Sequence, residues 1–393
     1  MSSNKNLIQA LLAFAKSPSN KSEKINPKNN FVSLWSVMFL SSMCCVMITS
    51  IVVLLMSNDS HKMSGFINNL PAWKIVIYAI IIGPLVEELA FRLPLKLTKL
   101  ALSYGIAFLA IFCFTMFFQS NYEHPVWLFD YTDWRGILSF AVVATLIASI
   151  FLSLFQIKGV FSFIELRLSK YYNVWFYTIL ILFAAIHILN FENIGTIWFI
   201  APLLILPQLS LSFFLGFIRV KMGFSWAYLA HFLNNGFMIG LMLLMKSVSP
   251  LLVEVMSNFD FSILQNMLTT DFILFGLINL LFFGFLGLVC YYALIVIVEY
   301  LQLKSYTKTK QLKIARTLSM ILPGLGQDYL QQKIAAKNYY KYFSIVIILM
   351  IVPLAIPFTY TSLNNALVMF ALPLCAYIAL TYFAVKEVKK SEV

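Results

Sequence analysis

The feature that most constrains this chain is a series of apolar runs, nearly free of charge, each close to the length that crosses a lipid hydrocarbon core. They fall at about 32–56, 75–92, 102–119, 137–157, 174–190, 197–218, 225–246, 272–300, 342–358 and 364–385. A transmembrane helix needs roughly 20 such residues. In lipid every backbone polar group must be satisfied internally, so separate runs of this kind can only be helices. With 61% hydrophobic and 11% charged residues among 393, a soluble domain could not bury the apolar surface present. The expected fold is all-α: a polytopic transmembrane helix bundle of about ten spans, with the lipid bilayer as solvent.

The net charge of +12 is spread over short segments between the runs, with no aromatic-interleaved basic patch, so no nucleic acid partner is expected. Its distribution gives an orientation. Lys96/Lys99, Lys158/Arg167/Lys170, Arg219/Lys221, Lys304 to Arg316 and Lys386 to Lys390 alternate onto one side, and Asp59, Glu123, Asp130, Asp133, Glu254 and Asp260 onto the other. The positive-inside rule then puts both termini in the cytosol. Cys44, Cys45, Cys113, Cys290 and Cys375 all lie in apolar runs without metal-type spacing and read as small core hydrophobes.

Composition divides the chain into a polar N-terminal cytosolic tail (1–31), a transmembrane core (32–300), a basic cytosolic linker (301–341) and a C-terminal transmembrane hairpin (342–393). The tail carries a brief apolar stretch from Leu7 to Ala15, too short for a signal peptide and suited to an interfacial helix. The linker contains Pro323-Gly324-Leu325-Gly326-Gln327, a turn similar to one that precedes membrane hairpins in several bacterial proteins.

An ionisable side chain at mid-membrane costs at least ~2.5–3.5 kcal/mol, so each is a functional candidate by default. The second run ends in Gly83-Pro84-Leu85-Val86-Glu87-Glu88-Leu89-Ala90-Phe91-Arg92. Helical spacing puts Glu88 and Arg92 on one face at i, i+4, while Glu87 points about 100° away without a sequence partner. Desolvated, Glu87 suits a general base or acid near neutral pH. The fifth run holds His187; the seventh carries His231 and Asn235, again i, i+4. Counting from flanking charges at ~1.5 Å per residue brings Glu87, His187 and His231 to similar depths near mid-bilayer. The structural alternatives are an ordinary buried ion pair for Glu88 and Arg92, and interhelical hydrogen bonding for the histidines and the asparagine. Glu165, Glu192, His61 and His124 sit at run ends or in loops and read as solvated.

Glu87-Glu88-x-x-x-Arg92, Phe183-x-x-x-His187 and His231-x-x-x-Asn235 resemble, in order and residue type, the motifs of the CAAX protease and bacteriocin-processing family, also called the Abi family. The resemblance covers about residues 75–245. It implies an all-helical intramembrane endopeptidase acting on a peptide or protein substrate in or at the membrane. It also implies roles: Glu87 activates the attacking water, His187 assists as acid/base, and His231 with Asn235 forms the oxyanion pocket. Glu88 and Arg92 hold the first glutamate in register. The family has been described both as metal-dependent and as glutamate-dependent, and a divalent metal such as zinc would find ligands in Glu88, His187 and His231.

This sequence departs from the family in one respect. About 95 residues, including the runs at 102–157 and a Tyr/Trp/Asp-rich loop at 120–136, separate the first two motifs, which are usually close, so the prenylated-CAAX substrate class is not carried over. The expected activity is hydrolysis of a membrane-associated or hydrophobic peptide by a glutamate-activated water, in a bacterial inner (cytoplasmic) membrane. Two alternatives use the same residues: a proton-coupled transporter with a midplane relay, and a non-proteolytic membrane scaffold or immunity protein.

Overall fold

The computed structural model describes residues 7–21, 24–56, 70–121, 134–191, 198–248, 269–355 and 363–390. Every regular element among them is a helix, and helix occupies each of the apolar runs. Among the described residues five stretches are long and apolar enough to cross a membrane: Pro27–Val52, Trp134–Gln156, Tyr172–Asn190, Phe224–Val248 and Leu277–Gln302. Such helices mark an integral membrane protein. Asp59, His61, Glu123, His124, Asp130, Asp133, Glu192, Glu254 and Asp260, which the sequence puts in loops or at run ends, lie outside the described residues.

The chain divides into two compact units. One comprises Ala10–Lys246 with 253–260; the other comprises 1–9, 247–252 and 261–393.

The larger unit holds most of α1 (Leu7–Lys16), all of α2 (Pro27–Met56), α3 (72–91), α4 (Lys99–Asn121), α5 (Trp134–Gln156), α6 (Val160–Lys170), α7 (Tyr172–Ile186) and α8 (Leu206–Lys221), and most of α9 (Phe224–Val248). α2 packs along α8, α8 against α7, α3 against α4, and α4 against α5. Aromatic edges join these helices: Phe91 meets both Phe112 and Phe183 edge-on, and Phe39 meets Phe237. Gly216 allows α8 its close approach to α7, since a Cβ there would lie 2.7 Å from the Phe176 ring. The helix expected in the N-terminal tail is present as α1. Its Phe14 is buried edge-on between Phe176 and Phe217, so its apolar face packs on protein.

Arg219 and Lys221, which the sequence places in a cytosolic turn, are buried at the end of α8. The segment after α1 returns to that end: the Ile25 N–H donates to Lys221 O at 3.1 Å, and Lys24 Nζ donates to Val220 O. Helix C-termini leave carbonyls without intrahelical donors, and these contacts supply them. Partial burial and the nearby positive charges of Arg219 and Lys96 lower the Lys24 pKa.

The smaller unit holds α10 (Thr269–Gln302), α11 (Lys308–Ile321), α12 (Leu325–Tyr329), α13 (Lys333–Ala355) and α14 (Leu363–Lys390). Most of the polar segment 301–341 is therefore helical. Its apolar residues Leu312, Ala315, Leu318 and Leu325 form a core with Val298 and Val388. The Pro-Gly-x-Gly-Gln turn has a packing explanation. Gly324 takes φ +105°, and a Cβ on Gly326 would fall 2.0 Å from Ala315 O, so only glycine lets the two backbones meet there. Gln327 then accepts from Ser319 Oγ at 3.2 Å and donates to Ala384 O at 2.7 Å, joining α11 and α14.

Candidate active site

α3 is not a uniform helix. It opens as α over Ala72–Ile75, widens to a π-helix over Val76–Ile82 and returns to α over Gly83–Phe91. Gly83 and Pro84 are the cause. The Gly83 N–H reaches back to Tyr78 O, five residues away, and so passes over Ala79 O. The next donor in that register would be Pro84, which has no N–H. Ala79 O is thereby left without a partner from its own helix, and Asn235 Nδ2 of α9 donates to it at 3.2 Å. π-Helical insertions of this kind recur at functional sites, because they re-aim the side chains that follow.

The side chains that follow are the paired glutamates. Glu88 is fully buried, Arg92 is 1% exposed, and their closest atoms, Arg92 Nε and Glu88 Oε1, are 3.5 Å apart. This is an ion pair by distance without hydrogen-bond geometry. The Arg92 guanidinium lies 4.0 Å above the Phe183 ring, a cation–π contact that supports a charge with few hydrogen bonds. The turn that ends α3 is held from other helices. Arg219 Nε donates to Arg92 O at 2.9 Å, Trp175 Nε1 to Pro94 O at 3.2 Å and Tyr172 Oη to Leu95 O at 2.9 Å.

His231 joins the two glutamates. Its Nδ1 is 3.0 Å from Glu88 Oε1 and its Nε2 is 3.6 Å from Glu87 Oε2. With Glu88 ionised the Nδ1 position carries a proton, and Nε2 faces Glu87. His187 begins the 3₁₀ turn His187–Asn190 that ends α7, and its Nδ1 lies 2.7 Å from Phe183 O. A carbonyl only accepts, so that nitrogen bears a proton and Nε2 is left for chemistry.

Glu87, His187, His231 and Asn235 all line one cavity of about 430 Å³. Glu88 and Arg92 do not line it; they lie behind it, in contact with its residues. The cavity also exposes residues that the sequence did not single out: Ser42, Tyr78, Asn190, Gln208 and Asn234. Serine, glutamine and asparagine in apolar helices look like interhelical glue in a sequence, and only their shared position distinguishes them.

Glu88, His187 and His231 do not make a metal-binding set. Among the described residues no three His, Cys, Asp or Glu groups are arranged to hold an ion. The reason is the placement of Glu88: it is turned toward Arg92 and His231 rather than into the cavity, so it does not join the two histidines there, whose Nδ1 atoms are held by Glu88 and by Phe183 O while Nε2 of each stays free.

The arrangement can hold a carboxylate, two oriented imidazoles and an amide around a small volume with apolar walls. That is a base, proton carriers and a neutral donor within reach of one bound group. Compared with family models, curated proteins and solved structures, this chain matches none.

Proposed function

We propose that this chain is an intramembrane endopeptidase that hydrolyses a peptide bond of a membrane-associated or hydrophobic peptide, the activity implied by its resemblance to the CAAX protease and bacteriocin-processing family. The observation that carries the reading is the convergence of Glu87, His187, His231 and Asn235, from α3, the end of α7 and α9, on one cavity. Three helices far apart in sequence contribute an acid/base set to a single volume, and intramembrane ionisable groups are otherwise costly.

In this mechanism Glu87 takes a proton from water as the oxygen attacks the substrate carbonyl carbon. The developing oxyanion accepts from Asn235 Nδ2, whose second hydrogen is not used by Ala79 O. As the intermediate collapses, the C–N bond breaks and the leaving nitrogen takes a proton, through His187 Nε2 or back from Glu87. Glu88 and Arg92 are positioning residues: Glu88 fixes the His231 ring and Arg92 balances the buried charge. No step is routed through a metal.

We further propose a topology of about ten spans with both termini in the cytosol, in a bacterial inner membrane. Single cysteines introduced at Ser3 and Ser391 should both resist an impermeant maleimide applied to intact spheroplasts and react after lysis. Labelling of either before lysis would overturn the topology.

The chain of contacts Glu87, His231, Glu88 also suits a proton relay, which keeps a proton-coupled transporter as a second reading. Peptide ends separate the two. Cells expressing the wild type should contain membrane or secreted peptide ends missing from cells with equal amounts of Glu87→Gln. Identical ends, with proton-driven uptake lost in Glu87→Gln vesicles, would favour the relay.

A further inference from the structure

The seam that α2 makes with α8 and with the short helix before it, Ala201–Leu204, carries five polar side chains whose hydrogen bonding differs in a telling way. Toward one end Ser41 Oγ and Ser210 Oγ are 2.8 Å apart, and toward the other Thr49 Oγ1 donates to Leu203 O at 2.9 Å. The second bond also has a backbone cause, because Pro207 cannot return an N–H to Leu203 O. Between these two pairs in sequence lie Ser42 on α2 and Gln208 on α8. Ser42 Oγ and Gln208 Oε1 are both buried and have no hydrogen-bond partner. Both residues line the cavity that holds Glu87.

Unpaired buried polar atoms are rare in native proteins, and each costs free energy unless something meets it. Here the seam is pinned on either side by satisfied pairs, so helix packing does not need the two that lack partners. Their location on the cavity indicates a ligand as the missing partner.

The lining also constrains what that ligand is. None of the described residues that line the cavity is Lys or Arg, so nothing there suits a terminal carboxylate or a phosphate. Neutral amides and hydroxyls both donate and accept, as a polypeptide backbone does. Met43, Val46, Leu211 and Met238 supply apolar walls between them.

We propose that Ser42 and Gln208 form a backbone-binding subsite that holds an unwound, uncharged stretch of an apolar polypeptide beside Glu87. The proposal rests on the endopeptidase reading and deepens it: the scissile bond is internal to the substrate chain, with no free carboxylate at the site. A helical segment has its own backbone bonds satisfied and gains little from such a subsite, whereas an extended one presents the N–H and C=O groups that Ser42 and Gln208 lack.

The test uses the full-length protein with Ser42→Ala, Gln208→Met and the pair together, beside Glu87→Gln as the inactive control. Two quantities are read: the yield of Glu87-dependent peptide ends in cells, and the melting temperature of the purified protein in detergent. The double variant should lower the yield about tenfold, as two lost hydrogen bonds imply. Its melting temperature should hold or rise, since apolar groups replace atoms that had no partner. A merely structural role would instead lower the melting temperature, and that result overturns the proposal. Glu87-dependent ends that persist at full yield in the double variant also overturn it while leaving the endopeptidase intact. Absence of any Glu87-dependent end removes both together.

Discussion

His231 Nδ1 lies 3.0 Å from Glu88 Oε1, and the far nitrogen of the same ring lies 3.6 Å from Glu87 Oε2. Adjacent acids at one helix turn thus have separate tasks. Glu88, fully buried, faces Arg92 and orients the ring; Glu87, 19% exposed at its side chain, faces the cavity. The ~100° between neighbouring residues on a helix is what sends them apart.

Breaking the buried pair should be costly. Glu88→Gln leaves the Arg92 guanidinium without its counter-charge, and Arg92→Met does the same to Glu88. Each single change should cost about 3 kcal/mol of stability or more, and the double variant less than the sum. Unfolding of the purified variants in detergent measures this, and simple additivity would show that the pair is not coupled.

The Asn235 bond to Ala79 O makes a sharper prediction. Asn235→Ala orphans a carbonyl that Pro84 cannot serve, at a cost of about 1–3 kcal/mol. Pro84→Ala restores a backbone N–H on α3, so adding it to Asn235→Ala should recover part of the loss. If Pro84→Ala worsens the Asn235→Ala defect, the π-helical register is held by something else.

Gly216 faces Phe176 with no room for a methyl group. Gly216→Ala should destabilise by about 1–3 kcal/mol through overpacking, and Phe176→Leu should relieve it. Melting temperatures of the two singles and the double variant decide the point. The same contact keeps α7, and with it His187, against the site.

Because no three donors among the described residues are arranged to hold an ion, chelation should leave Glu87-dependent cleavage unchanged. Assays with and without a strong chelator check this. Activity lost to the chelator and restored by zinc would contradict the donor arrangement described here.

His187 presents its Nε2 to the cavity while Phe183 O holds the other nitrogen. His187→Ala should lower turnover by about 10²–10⁴, as loss of a positioned acid/base does, with a smaller effect on KM. A change confined to KM would assign His187 to substrate binding alone.

The positions of the helices were legible because an apolar run in a charge-poor chain can fold in only one way. Counting from Lys96, from Lys221 and from the start of the fifth run also puts Glu87, His231 and His187 at similar depths in the sequence. The π-helix was not legible. Gly83-Pro84 announces an irregularity, but whether a proline kinks, ends or widens a helix depends on what can satisfy the freed carbonyl, here Asn235, which lies 156 residues away from Ala79. The burial of Arg219 was not legible for a related reason. A basic residue at the end of a run looks solvated, whereas this one is buried and donates to Arg92 O, a partner that tertiary packing alone supplies. Ser42 and Gln208 carried no signal, since a polar residue in an apolar helix says nothing of which face it occupies until the neighbouring helices are known. The segment 301–341 looked like a linker because its charge hid the spacing of Leu312, Ala315 and Leu318, which line one face of α11.

The central claim is that Glu87 activates water to cleave a peptide bond. It is tested most directly with the purified protein in lipid nanodiscs and a peptide spanning a Glu87-dependent cleavage site, incubated in heavy-oxygen water. The account predicts two products from the wild type, with one heavy oxygen in the new carboxyl group, and neither product from Glu87→Gln of equal stability. Equal cleavage by the two proteins, or products without the heavy oxygen, would contradict it.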